Sequence, residues 1–260
     1  MKDVEIKQEE YKLLNGDFIN SEELFTKMND DEFYYGFLGK NALSSSSLKT
    51  ILKSWDDYLD ELRGLSPDIP AQALRDGRLV HLAVLEPHRL DDLTIIDSTK
   101  GSNLFKEAVK EKSEAEVYTS RELKKCLGIA INVTSDFDSF LLLHETQKEV
   151  SGFMNYRGLP VRGKADSLHV ENGMVIDLKT TSDASRFEEA INHWSYDMQG
   201  AVYLKMFNCD KFTFIVVDKR TGEVLIRALS PEELKRGQDK LDKAIDIYIE
   251  NAESLKQFYK

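Results

Sequence analysis

The chain carries only two cysteines, Cys126 and Cys209. That excludes a disulfide framework and any four-cysteine site for zinc or an iron–sulfur cluster. Long apolar runs are also missing, and none approaches the roughly 18 residues that a membrane span needs. The opening MKDVEIKQEEYK lacks the apolar stretch of a secretory signal. No G-x-x-x-x-G-K-[ST] phosphate loop occurs, so ATP is not an expected cofactor. Cationic excess is lacking as well: 35 Lys and Arg stand against 46 Asp and Glu, a formal net charge of −11. At first sight this argues against a general nucleic-acid binder. What is present is an ordinary balance of 41% hydrophobic and 31% charged residues, which excludes collagen-like and wholly disordered chains. The composition fits a cytoplasmic protein with no membrane association. At about 150 residues per domain, the 260 residues make one large domain or two small ones.

Along the chain, residues 1–35 are polar, acidic and weakly periodic, and residues 1–41 read as an N-terminal arm or cap. Residues 42–260 read as a single domain. The run Ser44–Ser47 supplies N-cap candidates for a helix LKTILKSWDDYLDEL, ended by Gly64 and Pro67. A second helix follows Pro70 and stops at Pro87, with Gly77 inside it. Further helical patterns lie near 103–113, 119–131 and 135–148. The period then changes. VRGKADSLHV and MVIDLKTT read as two strands, and Asn172-Gly173 between them is a signal for a two-residue type I′ hairpin. Helices near 184–192 and 195–208, strands 212–218 and 223–229, and a long helix opened by Ser230-Pro231 complete the order. The succession implies an α/β fold, a central sheet flanked by helices with helical additions at the N-terminal side.

The hairpin carries the chemistry. With Asn172-Gly173 as the loop, Leu168 lies opposite Asp177 and Asp166 opposite Lys179. Side chains alternate along a strand, and cross-strand partners share a face. Asp166, Asp177 and Lys179 are then expected on one face, the two carboxylates diagonal at about 7–8 Å. Met174, Ile176 and Leu178 point to the other face, into a core. Two carboxylates at that spacing can converge on one hard cation such as Mg²⁺, which can activate water and neutralise phosphate charge. A lone Asp-x-Lys is also a common solvent-facing pair, and it is Asp166 that distinguishes the two readings. Three further features have equally plain alternatives. His81 fits a packed core histidine, Gln199 and Tyr203 fit a helix-packing pair four residues apart, and Glu149 fits a solvated surface residue.

Taken in order, Gly77-x-x-x-His81, Glu149, Gly163-Lys164-Ala165-Asp166, Ile176-Asp177-Leu178-Lys179 and Gln199-x-x-x-Tyr203 resemble the PD-(D/E)xK nuclease superfamily. Within it the pattern is similar to RecE-type exonucleases (exodeoxyribonuclease VIII), which phages and prophages commonly encode. LSSSSLKTILKS also resembles the serine-led helix that opens that group, and the likeness covers roughly residues 42–230. The resemblance implies a restriction-endonuclease-like core with a mixed β-sheet. It implies that Asp166, Asp177 and the Leu178 backbone carbonyl bind one or two Mg²⁺ ions, with Mn²⁺ able to substitute. Lys179 would be the catalytic lysine. His81 would sit at the metal or the scissile phosphate, and Gln199 and Tyr203 would brace the site and touch the DNA backbone. Glu149 matches a glutamate often found shortly before the first strand, a role Glu86 could also hold. The resemblance further implies 5′→3′ resection of linear duplex DNA ends, a ring-shaped homo-oligomer, and a single-strand annealing or recombinase partner.

Two alternatives stay open at this point: an endonuclease or repair nuclease of the same superfamily, and a non-catalytic DNA-end-binding module. Net acidity does not decide among them, because binding depends on where charges lie. Arg75, Arg78, Arg157, Arg162, Lys164 and Lys179 cluster in sequence around the proposed site. Arg75, Arg78, Arg162 and Lys164 are the DNA-contact candidates. The acidic excess falls in the arm and in outer helices, as at Asp56-Asp57 and Glu232-Glu233.

Overall fold

A computed structural model describes residues 9–65, 72–112 and 116–258. Pro67 and Pro70, expected to separate the first two helices, lie outside the described residues, as do residues 1–8 of the arm. The arm contains strands β1 (Glu10–Lys12) and β2 (Phe18–Asn20), helix α1 (Ser21–Lys27), a π-helical stretch Glu32–Phe37 and helix α2 (Leu38–Asn41). Next come α3 (Ser45–Lys53), α4 (Trp55–Leu62), α5 (Gln72–Leu85), β3 (Thr94–Ile96), α6 (Asn103–Glu111), β4 (Val117–Thr119), α7 (Ser120–Ser135) and α8 (Phe137–Leu143). The sheet region has β5 (Gln147–Tyr156), β6 (Leu159–His169), β7 (Met174–Thr181), α9 (Phe187–His193), α10 (Tyr196–Phe207), β8 (Lys211–Asp218), β9 (Val224–Ala228) and α11 (Pro231–Asn251). Among the described residues, no single helix is long and apolar enough to cross a membrane.

The central sheet runs β5-β6-β7-β8-β9 and is mixed. Within this sheet only β7 and β8 pair in parallel, because α9 and α10 form the crossover between them. Its two faces bury two cores. Val175, Phe212, Phe214 and Val216 pack with Met198 and Val202 of α10, Leu241 and Ile245 of α11, and Leu48 and Ile51 of α3. Ile176, Leu178, Ile215 and Val217 pack with Leu79 and Val80 of α5 and with Ile129 and Val133 of α7. Strict alternation along β7 and β8 thus serves two layers of helices, as expected for a sheet covered on both sides.

Three local expectations change. Ser54 breaks the first long helix in two. Its extended backbone ends α3, and its hydroxyl accepts the Asp57 N–H to start α4. The pattern over 135–148 is helical only to Leu143, after which an additional strand, β5, begins. Its tight turn to β6 uses Arg157 and Gly158, both at positive φ (53° and 86°), so the two-residue hairpin is here. At Asn172-Gly173 only Gly173 is left-handed, and the loop is four residues wide, closed by Gly173 N–H donating to Val170.

The arm has a small core of its own, in which Tyr11, Ile19, Leu24, Met28, Tyr34 and Leu38 close over Phe153 of β5. It is tied down further by the Ser151 hydroxyl, which donates to the Met28 carbonyl.

Candidate active site

Asp177 lies in the middle of the sheet and is 2% exposed. A carboxylate there is stable only if charge and hydrogen bonds compensate its lost hydration. Gln199 of α10 donates its amide to Oδ1 at 2.7 Å, and the Tyr203 side chain hydrogen-bonds Gln199 in turn. Lys179 Nζ touches Oδ2 at 2.5 Å. That contact is one of charge, since Oδ2 is buried without a well-directed hydrogen bond. The spacing of four between Gln199 and Tyr203 puts both on the α10 face that packs the sheet. The expected brace is therefore present. Tyr203, however, is only 6% exposed, so its expected contact with the DNA backbone is corrected.

The β6–β7 ladder pairs Ser167 with Ile176, Leu168 with Val175 and His169 with Met174. This is two residues away from the register expected for a two-residue loop. A slip of one would have turned every side chain over, whereas a slip of two preserves the faces. Asp177 and Lys179 consequently still project together. The ladder stops where Asp166 would face Asp177. There the strands part, and the Asp166 carboxylate accepts the Leu178 N–H at 2.7 Å. Alternation along β6 breaks at this point, because Ala165 and Leu168 both enter the α10-side core. The expectation of one shared face is thus corrected for Asp166. Its Oδ2 lies 3.5 Å from His81 Nδ1, which comes from α5 on the opposite side of the sheet from α10.

Glu149 completes the cluster. Ligand atoms of His81, Glu149 and Asp166 all lie within 4.8 Å of one another. Glu149 has φ 51° inside β5, a left-handed conformation that is strained for a non-glycine residue and is typical of functional positions. Its neighbours Lys148 and Val150 pair with Ser167 and Ala165, which sets it across from Asp166. Burial, then the charges of Asp166 and Glu86, push the Glu149 carboxyl up to about 8. Burial also raises Asp166, which Asp177 reinforces and His81 opposes. For Lys179 burial works downward, but Asp177 and Asp166 outweigh it and hold the ammonium above its usual range. Glu86 has its own partner, accepting from Arg89, which also binds Asp31 of the arm.

His81, Glu149 and Asp166 crowded together, the two carboxyls driven toward protonation, form a donor set that suits a hard divalent cation. Asp177 stands outside that trio, its Oδ2 held by Lys179 and its Oδ1 by Gln199.

The cationic candidates divide. Arg78 is exposed on α5. Arg75 is 2% exposed, donates to the Val117 carbonyl at 2.6 Å and lies over the Tyr118 ring at 4.5 Å. It holds β4 against α5, and its placement on a DNA-contact surface is corrected. Arg162 packs over Tyr34 at 4.5 Å. Lys164 pairs with Asp31 at 3.3 Å and sits 4.8 Å from the Tyr34 ring. Both are thus engaged by the arm. Arg157 pairs with Asp246 of α11, away from the cluster. Two residues at the site were not legible in sequence, Tyr196, whose ring lies 4.9 Å from Lys179 Nζ, and Lys49, which shares that ring.

A mixed sheet that brings Asp166 and Asp177-x-Lys179 together where two strands part has the architecture of the PD-(D/E)xK nuclease fold. The chain belongs to the family described as a PDDEXK-like domain of unknown function (DUF3799), which matches residues 44–257. Members of the PDDEXK nuclease class use divalent metals. A solved protein from Eubacterium rectale, provisionally described as an exonuclease, is similar in fold: TM-score 0.67 at 19% identity over 87% of this chain and 86% of that one. A phage-related exonuclease from Haemophilus somnus (TM-score 0.39, 14% identity, 82% and 96% covered) and LHK-Exo in complex with dAMP (0.41, 11%, 87% and 96%) are more distant in shape. No curated protein matches.

Proposed function

We propose that this chain is a divalent-metal-dependent DNA exonuclease, with Mg²⁺ as the metal and Mn²⁺ as a substitute. It would resect linear duplex from 5′ ends and leave 3′ single strands for an annealing or recombinase protein, working as a homo-oligomeric ring in the cytoplasm. The observation that carries the catalytic part is the convergence of His81, Glu149, Asp166, Asp177 and Lys179 at the parting of β6 and β7. Asp166, Asp177 and the Leu178 carbonyl, with His81 and Glu149 beside them, would hold one or two ions. Bound there, the metal supplies an acidified water and neutralises charge on the phosphate. In the reaction, water oxygen bonds to phosphorus, the P–O3′ bond breaks and the departing O3′ takes a proton.

The side chains have distinct tasks. Lys179 is kept charged by Asp177 and Asp166, so it serves as a cation for the phosphate oxygens and not as a base. Gln199 fixes the rotamer of Asp177, and Tyr203 fixes Gln199. Tyr196 walls the lysine from solvent, which strengthens its field.

Incubation with end-labelled linear duplex and with closed-circular duplex of the same sequence tests this reading. Progressive release of 5′-mononucleotides from linear DNA, with circles left intact, is the expected result. Cutting of circles at an equal rate would replace exonuclease by endonuclease.

A further inference from the structure

Lys49 stands in the second turn of the serine-capped helix α3, directly after the core residue Leu48. Its side chain is half-buried, and its ammonium lies 5.5 Å from the centre of the Tyr196 ring. Lys179 Nζ lies 4.9 Å from the centre of the same ring. Two ammonium groups therefore flank one aromatic side chain at the edge of the catalytic cluster. They differ in one respect. Lys179 has Asp177 at 2.5 Å, whereas among the described residues Lys49 has neither an ion pair nor a hydrogen bond. The carboxylate in its electrostatic reach, Asp177, is already committed, and the other groups it feels, Lys179 and Lys240, are cations.

A partly desolvated cation beside two others is costly unless an anion joins it. Burial and the two lysines accordingly hold its pKa below the usual lysine range. Cation–π contact with Tyr196 returns only a fraction of that cost. A site that must cut a polyanion supplies the missing anion itself.

We propose that Lys49 is a phosphate-binding residue that takes a non-scissile phosphate of the strand entering the site, next to the phosphate that Lys179 faces. The proposal rests on the nuclease reading above. It assigns the serine-led helix a task in substrate recognition: its N-terminal capping box anchors it, Leu48 and Ile51 fix it in the core, and Lys49 is thereby presented at a set position.

The test uses the full chain and a short 3′-fluorescein duplex. Binding is read by anisotropy in EDTA, and turnover is read separately with Mg²⁺. Lys49→Met keeps the aliphatic stem on Tyr196 and removes only the charge. It should weaken metal-free binding about tenfold or more and raise KM by a similar factor, with kcat changed far less. Lys49→Arg should restore most of the binding, and Lys110→Met, an exposed cation on α6, should bind as the parent does. A neutral methylphosphonate walked along the strand should weaken the parent at one linkage near the cut and leave Lys49→Met unaffected there. If the same lost coupling is instead seen on replacing a 5′-phosphate by a 5′-hydroxyl, the phosphate is the terminal one. A parent that cuts DNA while Lys49→Met binds every substrate as tightly overturns the inference alone and reduces Lys49 to packing. A parent that neither binds nor cuts DNA overturns the nuclease reading and this inference with it.

Discussion

Asp177→Asn and Lys179→Ala should each lower kcat on linear duplex by about 10²–10³-fold or more, for different reasons that binding data can separate. Asp177→Asn keeps the size of the side chain and an oxygen for the Gln199 amide but removes the negative charge, so divalent-metal affinity should fall with activity. Lys179→Ala leaves all the acidic groups in place, and metal binding should persist or strengthen as a competing cation is lost. The lysine variant also strands Asp177 as a buried, unpaired carboxylate, a change that typically costs about 3–5 kcal/mol. Its metal-free form should melt well below the parent, and added Mg²⁺ or Mn²⁺ should recover part of the difference. Calorimetric metal titration, thermal melts and single-turnover cleavage of the three proteins check this. Equal turnover in all three would remove Asp177 and Lys179 from the chemistry.

The second large effect concerns Glu149 and pH. Unfolded, its carboxyl ionises near 4.5, while in the folded protein burial, Asp166 and Glu86 hold it near 8. Between those values the folded state binds more protons than the unfolded state, so stability falls as pH rises from about 4.5 to 8. Asp166, also raised, acts in the same direction. Lys148, pushed down to about 8 by burial, adds stability with rising pH only above that range. The loss attached to Glu149 is on the order of a few kcal/mol, enough to lower Tm by about 5 °C or more. Metal-free protein should therefore melt at a lower temperature at pH 8 than at pH 6. Glu149→Gln should flatten the dependence and raise the metal-free Tm at pH 8, while weakening metal binding. Divalent metal should stabilise the parent most at the higher pH, because binding displaces the protons. Melts at both pH values, with and without metal, give the answer. An unchanged slope in Glu149→Gln would mean that the carboxyl is not the group under strain.

Sequence pattern went furthest where one period serves one layer. Alternation along MVIDLKTT placed Asp177 and Lys179 together on one side and Ile176 and Leu178 in the opposite core. That assignment survived an error in the loop, because the register moved by an even number of residues. The Asn172-Gly173 signal was misleading about turn width, and the actual two-residue turn uses Arg157-Gly158, a weaker signal. Glu149 is picked out by resemblance alone and expected ahead of the first strand; it lies inside β5 at a left-handed φ, a conformation that periodicity does not carry. The cations were the least legible. Arg75 and Arg162 are close in sequence to site residues, yet Tyr118 and Tyr34 engage them. Lys49 lies some 130 positions from Lys179 and meets it only through Tyr196. Which charges reach substrate is set by tertiary packing, and a one-dimensional pattern does not carry it.

The central claim is that Asp166 and Asp177, from two strands that part between them, share a cation. Crystals soaked in Mn²⁺ and measured at the manganese absorption edge test it directly. The expected result is an anomalous peak bonded to an oxygen of each of these two carboxylates, with His81 or Glu149 at the same site, and its disappearance in Asp177→Asn. A peak held by His81, Glu149 and Asp166 without Asp177, or full occupancy in Asp177→Asn, would contradict the account.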